Sequence, residues 1–149
     1  MTDGDKIALS AIGGALGGIV VYVIGQLLSK FLIEPLYELR KAIGEVRFNL
    51  SFHAPTIHTP IGRSDESSKA ASEALLKNSS DLIAKLHAVP FYVSFGALPC
   101  RKAVNDAAVQ LRGLSTHMSE KGEKAHASIE TVQKRVAKIE GLLRLNPLE

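Results

Sequence analysis

The chain has no tryptophan, a single cysteine (Cys100), and aromatic residues at only 5% of 149 positions. One cysteine excludes an internal disulfide and fits a reducing compartment. Few aromatics beside abundant Ala, Leu, Lys and Glu favour helix over sheet. A surplus of either charge is also lacking, the net being +3. No Lys/Arg cluster is interleaved with aromatics, so nothing resembles a nucleic-acid surface. The length suits one domain plus an anchor, given roughly 100–200 residues per domain.

The longest absence is of charge itself, with none from Ile7 to Ser29. As a helix, residues 7–28 span about 33 Å, against a hydrocarbon core of about 30 Å. Ser10, Tyr22, Gln26 and Ser29 are the polar interruptions. A cleaved signal peptide needs a basic start and a short apolar core, whereas Asp3, Asp5 and Lys6 precede a much longer run. A transmembrane anchor over residues 1–33 is therefore predicted. Lys30, Arg40, Lys41 and Arg47 follow it, while Lys6 is the only cation ahead of it. The positive-inside rule then places the N-terminus outside and the C-terminal domain in the cytosol. The same cations can meet anionic lipid.

Ser10, Gly14 and Gly18 recur every four residues, with Gly13 and Gly17 beside them. This small-xxx-small spacing lets two backbones approach closely and predicts a transmembrane self-association face. The glycine run superficially resembles a phosphate-binding loop but lacks the following Lys–Ser/Thr and lies within lipid.

Beyond the anchor, an antiparallel helical bundle is expected over residues 34–118. Pro35 either kinks a continuing helix or starts a new one. Leu32, Leu36, Leu39, Ile43, Val46 and Leu50 alternate spacings of four and three, an apolar stripe of a helix ending near His53. Residues 54–63, with Pro55, Pro60 and Gly62, read as a loop. Ser64 with Asp65 and Glu66 suits a helix start. Ala71, Leu75, Leu82, Leu86 and Val89 then share one face, with Ser67, Ser68, Lys69, Asn78 and Lys85 largely off it.

Residues 91–98, bracketed by Pro90 and Pro99, are uncharged and rich in aromatics. Too short to cross a bilayer as a helix, they suit a membrane-interface loop through Phe91, Tyr92, Phe95 and Leu98. The other reading is that they cap the base of the core.

From Pro99 one register runs through Val104, Ala108, Leu111, Ser115, Met118, Gly122, Ala125, Ile129, Val132, Val136, Ile139 and Leu143. Spacings of four and three make a heptad seam, read either as one continuous helix of about 65 Å, which the unbroken register favours, or as two helices with a break near Ser119–Gly122. Its far half, residues 119–149, is expected as a coiled-coil-like extension. Ile129, Val132, Val136, Ile139 and Leu143 would there contact another copy, a helical protein partner, or a folded-back segment of the chain.

No constellation suggests catalysis. His53 and His58 match no helical ligand pair, and His87, His117 and His126 have no Glu-x-x-His partner. Cys100, next to Arg101 and Lys102 at a helix start, is set for thiolate character but lacks an obvious His and orienting group. No enzyme, metal or cofactor is expected. The sequons at Asn49 and Asn78 read as chance matches in a cytosolic domain.

Ile33-Glu34-Pro35, Ile43-Gly44-Glu45-Val46, Val89-Pro90-Phe91-Tyr92 and Leu111-Arg112-Gly113-Leu114-Ser115 together resemble a group of small bacterial single-pass membrane proteins without assigned function. The resemblance covers roughly residues 25–118 and departs from Ser119 onward. It implies a bacterial or phage setting and an inner membrane, and brings no activity. The functional expectation is a membrane-anchored, non-enzymatic interaction or assembly protein, with membrane lipid and a second copy or helical protein as partners. The alternative is a self-assembling membrane-active effector, for example in antiviral defence, which would breach the bilayer.

Overall fold

The computed structural model of the chain describes residues 3–58, 64–90, 92, 98–118 and 129–145, with side chains at Gly14 and from Gly17 onward. Regular structure among the described residues is entirely helical. It comprises α1 (Asp3–Leu28), a π-helical turn (Ser29–Ile33), α2 (Glu34–Phe52), α3 (Ala54–His58), α4 (Asp65–Ala88), α5 (Arg101–Met118) and α6 (Ile129–Leu143).

The proline question resolves in favour of continuity. Helix α1, the π turn and α2 form one unbroken path, with Pro35 in the first turn of α2. Proline offers no N–H to the carbonyl four residues back, and its ring crowds that carbonyl. The chain widens instead of breaking, and the Glu34 N–H bonds the Ser29 carbonyl five residues back.

Leu39, Ile43, Val46 and Leu50 are buried together with Ala42, and Leu36 packs against them. The loop expected at residues 54–63 begins otherwise: Ala54–His58 is a short helix. Pro55 is tolerated in its first turn, where no N–H is required, and Ile57 anchors it in the core at 3% exposure. Helix α4 starts as expected, the Ser64 hydroxyl oxygen accepting from the Ser67 N–H at 3.1 Å.

Two serines on α4 tie it to α5. The Ser79 hydroxyl donates to the Ala108 carbonyl at 2.8 Å, and that of Ser72 to the Ser115 carbonyl at 2.9 Å. Partner numbers on α5 fall as those on α4 rise, so the two helices run in opposite directions. The same holds for α2 and α4, through Glu38–Lys85 at 2.8 Å and Asn49–Asn78 at 3.1 Å. Asn78, expected off the apolar face, is buried at 3% exposure, with Ser79 beside it at 0%. An asparagine so enclosed is no glycosylation acceptor.

The long C-terminal helix is corrected. Arg135 Nη1 donates to Gln110 Oε1 at 2.9 Å across twenty-five positions, which a continuous helix would separate by about 37 Å. Helix α6 therefore folds back on α5. The Arg135 guanidinium lies where a side chain at residue 113 would begin, which Gly113 leaves open. Val132, Val136, Ile139 and Leu143 are buried in the same core as Leu111 and Leu114. The projecting contact stripe thus belongs to the chain's own interior, and the boundary at 118/119 does not separate two packing units. Ile129 is half-buried at the edge of this face. The residues between Met118 and Ile129 lie outside the described set.

Helix α6 ends in a Schellman turn. The Leu145 N–H bonds the Glu140 carbonyl at 2.9 Å, and that of Arg144 bonds Gly141 at 3.3 Å. Arg144 takes a left-handed φ of 54°, a position where glycine is usual.

Candidate membrane and contact surfaces

From Gly17 onward helix α1 offers an apolar surface that no described residue covers. Ile19 is 60% exposed and Val21 71%. By length and composition the one helix among the described residues able to cross a membrane is the continuous run Gly17–Phe52, which the later part of α1 opens. Gln26 Nε2 donates to Tyr22 Oη one turn away, at 3.2 Å, so these two polar groups satisfy each other in part. A Cβ placed on Gly14, Gly17 or Gly18 would meet nothing within 4 Å among the described residues. That face is open to a second molecule, while the side chain of Ser10 lies outside the described set.

Helix α2 has two faces. One joins the core, and the other carries Tyr37, Phe48 and Phe52, each about two-thirds exposed. The Phe48 and Phe52 rings stack with centroids 5.7 Å apart, and Phe52 meets His53 edge-on at 5.0 Å. Gly44 lies in open space. The leucine-based stripe drew attention to the inner face. The aromatics' spacings of eleven and four, also helical, were the signal for the outer one.

Beyond the end of α4, Leu98 is 7% exposed and packs into the core, and Tyr92 is half-buried against it. The Tyr92 hydroxyl donates to the Pro99 carbonyl, and burial pushes its phenol above the usual value. Tyr92 and Leu98 thus cap the base of the core. Phe91 and Phe95 lie outside the described residues. Cys100 is exposed and immediately precedes α5 rather than occupying its first turn.

Glu38 and Lys85 pair beside a shallow groove of about 250 Å³, lined also by Lys41, Glu45, Lys77 and Asp81. Three acids and three lysines neutralise one another there, leaving no net charge to select a ligand. The hydrogen bond from Lys85, and then its charge, hold the Glu38 carboxyl below its ordinary value. The same contacts raise Lys85. A depressed acid stabilises the fold above its unfolded pKa, and that contribution is lost as pH falls through the folded pKa. A raised lysine stabilises below its unfolded pKa, and its contribution fades as pH rises through the folded value. Glu38→Gln is thus expected to lower the melting temperature slightly at neutral pH and to match the parent in strong acid. Thermal melts across the acid range, followed by circular dichroism, check this. A deficit that persists in acid would assign Glu38 a packing role instead.

Among the described residues no group of three or more His, Cys, Asp or Glu is placed to hold a metal ion. His53 and His58 stand at the ends of a short helix, and His87 approaches Arg101 at 3.5 Å. No family model, curated protein or solved structure matches the chain.

Proposed function

We propose that the chain is a membrane-anchored, non-enzymatic helical assembly protein at the cytosolic face of a bacterial inner membrane. The observation that carries this reading is the unbroken helical path of α1 and α2. It is uncharged from Ile7 to Ser29, its described side chains from Gly17 to Phe31 are exposed, and it is buried on one side where it enters the core. A helix continuous through the membrane exit transmits position between bilayer and bundle without a hinge. The antiparallel bundle serves as its cytosolic body, and the resemblance over residues 25–118 supports the bacterial setting.

Membrane lipid and a second copy are the partners this reading requires. With the C-terminal stripe taken up by the core, self-association falls to the α1 face of Ser10, Gly14 and Gly18. The aromatic ridge of α2 extends the same side. Over the nineteen residues from Gly18 to Tyr37 an ideal α-helix would rotate about 100° past whole turns. The wider π turn, about one residue longer, takes most of that back. Gly14→Leu/Gly18→Leu should shift the purified protein toward monomer in mild detergent, read as mass by light scattering or sedimentation. An unchanged oligomer mass rejects this face as the contact. Loss of membrane potential on expression would favour the effector reading instead.

A further inference from the structure

We propose that the membrane-proximal end of the bundle is a docking surface for anionic phospholipid headgroups, centred on Arg101 and Lys102 and completed by Lys30, Arg40 and Lys41. The inference rests on the reading of α1 as a membrane span and goes beyond it by adding a second contact with the bilayer.

The fold gathers these cations from places distant in sequence. Glu38, five residues past the π turn, lies about 7–8 Å along the helix from its end. Lys85 reaches Glu38 at 2.8 Å, and because α4 runs back toward the membrane, His87 stands about 3 Å nearer to it. Arg101 Nη2 approaches His87 Nδ1 at 3.5 Å. The Arg101 guanidinium is thereby held beside the last turn of α4, at the end of the bundle that α2 enters from α1.

Charge is concentrated at this level. Lys30, Arg40, Lys41, Lys85, Arg101 and Lys102 share this end with Glu34, Glu38, Glu45 and Asp81, a surplus of two. Lys85 is engaged with Glu38, whereas Lys30, Arg40, Lys41, Arg101 and Lys102 are exposed. Helix α5 also departs from local preference. Its first turn holds two cations and no acid, while α4, starting at the far end, begins with Asp65 and Glu66. Cations near a helix N-terminus oppose the helix dipole. Such a local conflict is expected where a surface serves a ligand, and anionic lipid supplies the opposite charge.

The single exposed thiol provides a reporter next to the site. The full chain, labelled at Cys100 with an environment-sensitive fluorophore, is reconstituted into vesicles of phosphatidylcholine alone or with phosphatidylglycerol added. Quenching by a headgroup nitroxide lipid is then measured. Quenching should be stronger by about threefold or more with phosphatidylglycerol, and this gain should vanish for Arg101→Glu/Lys102→Glu and at high salt. Arg101→Lys should retain it. Equal quenching in both vesicle types, or a gain unmoved by the double reversal, overturns the proposal. Circular dichroism confirms folding of the reversal, and Arg101→Gln/Lys102→Gln replaces it if helix content falls. Alkaline washing separates the two readings. Protein released from the vesicles defeats the membrane span itself, whereas protein retained without a lipid-dependent signal defeats only the headgroup surface.

Discussion

Removing residues 119–149 unfolds the bundle; it does not trim an appendage. The deletion takes away Val132, Val136, Ile139 and Leu143, all at 6% exposure or less, and uncovers the face of α5 on which they lie. Burial of an aliphatic side chain contributes about 1.5–3 kcal/mol, so the four together contribute on the order of 6–12 kcal/mol. That matches the whole stability of a small domain, about 5–15 kcal/mol. The truncated chain should lose its cooperative melt and become protease-sensitive beyond the anchor. A finer version is Ile139→Ala, at a site with 0% exposure, expected to cost about 2–5 kcal/mol by chemical denaturation. A truncation that melts like the parent would show that α6 is dispensable and its packing on α5 weak.

Ser79→Leu should clearly destabilise the packing of α4 on α5, and Ser79→Ala should be mild. Ser79 is fully buried, and its hydroxyl reaches the backbone of the opposing helix at 2.8 Å. Alanine removes one hydrogen bond, about 1 kcal/mol, and leaves the Ala108 carbonyl the acceptor of its own helix. Leucine adds volume at a site with 0% exposure whose hydroxyl already touches the α5 backbone at Ala108. Overpacking of this kind costs about 1–3 kcal/mol and forces helix displacement. The order of the two variants in denaturant midpoint is the measurement. If leucine is tolerated as well as alanine, the helices are not in close contact at this level.

Local signals in the chain were reliable where one helix face settles the outcome. Leu39, Ile43, Val46 and Leu50 follow helical periodicity into the core, and Ser64 caps α4 as its chemistry demands. The buried polar residues were not legible in this way. Polarity sets Asn78 apart from the leucine stripe, although Asn78 and Ser79 stand three and four residues past Leu75, on its helical spacing. They are enclosed because α2 and α5 approach α4 from two sides, and a single-helix pattern cannot register a second neighbour. Of the candidate surfaces, the α1 face was readable from glycine spacing alone, whereas the ridge of Tyr37, Phe48 and Phe52 became visible as a surface only once the opposite side of α2 was seen to be occupied.

The C-terminal register marks the division most clearly. Spacings of four and three require that Leu111 and Ile139 lie on apolar helical faces, and both do. The same spacing is satisfied by a straight helix with an external partner or by two helices packed on each other, because a heptad specifies which side is apolar and not what covers it. The Arg135–Gln110 contact, seated over Gly113, selects the second. By itself, then, the sequence determined a charge-free helix of membrane-spanning length and a set of amphipathic helices after it, since hydropathy and periodicity are local properties. Only the tertiary structure decided that the helix enters the bundle unbroken, that α6 completes the core, and that cations from α2 and α5 meet at one end. Each of these depends on contacts between residues far apart in the chain.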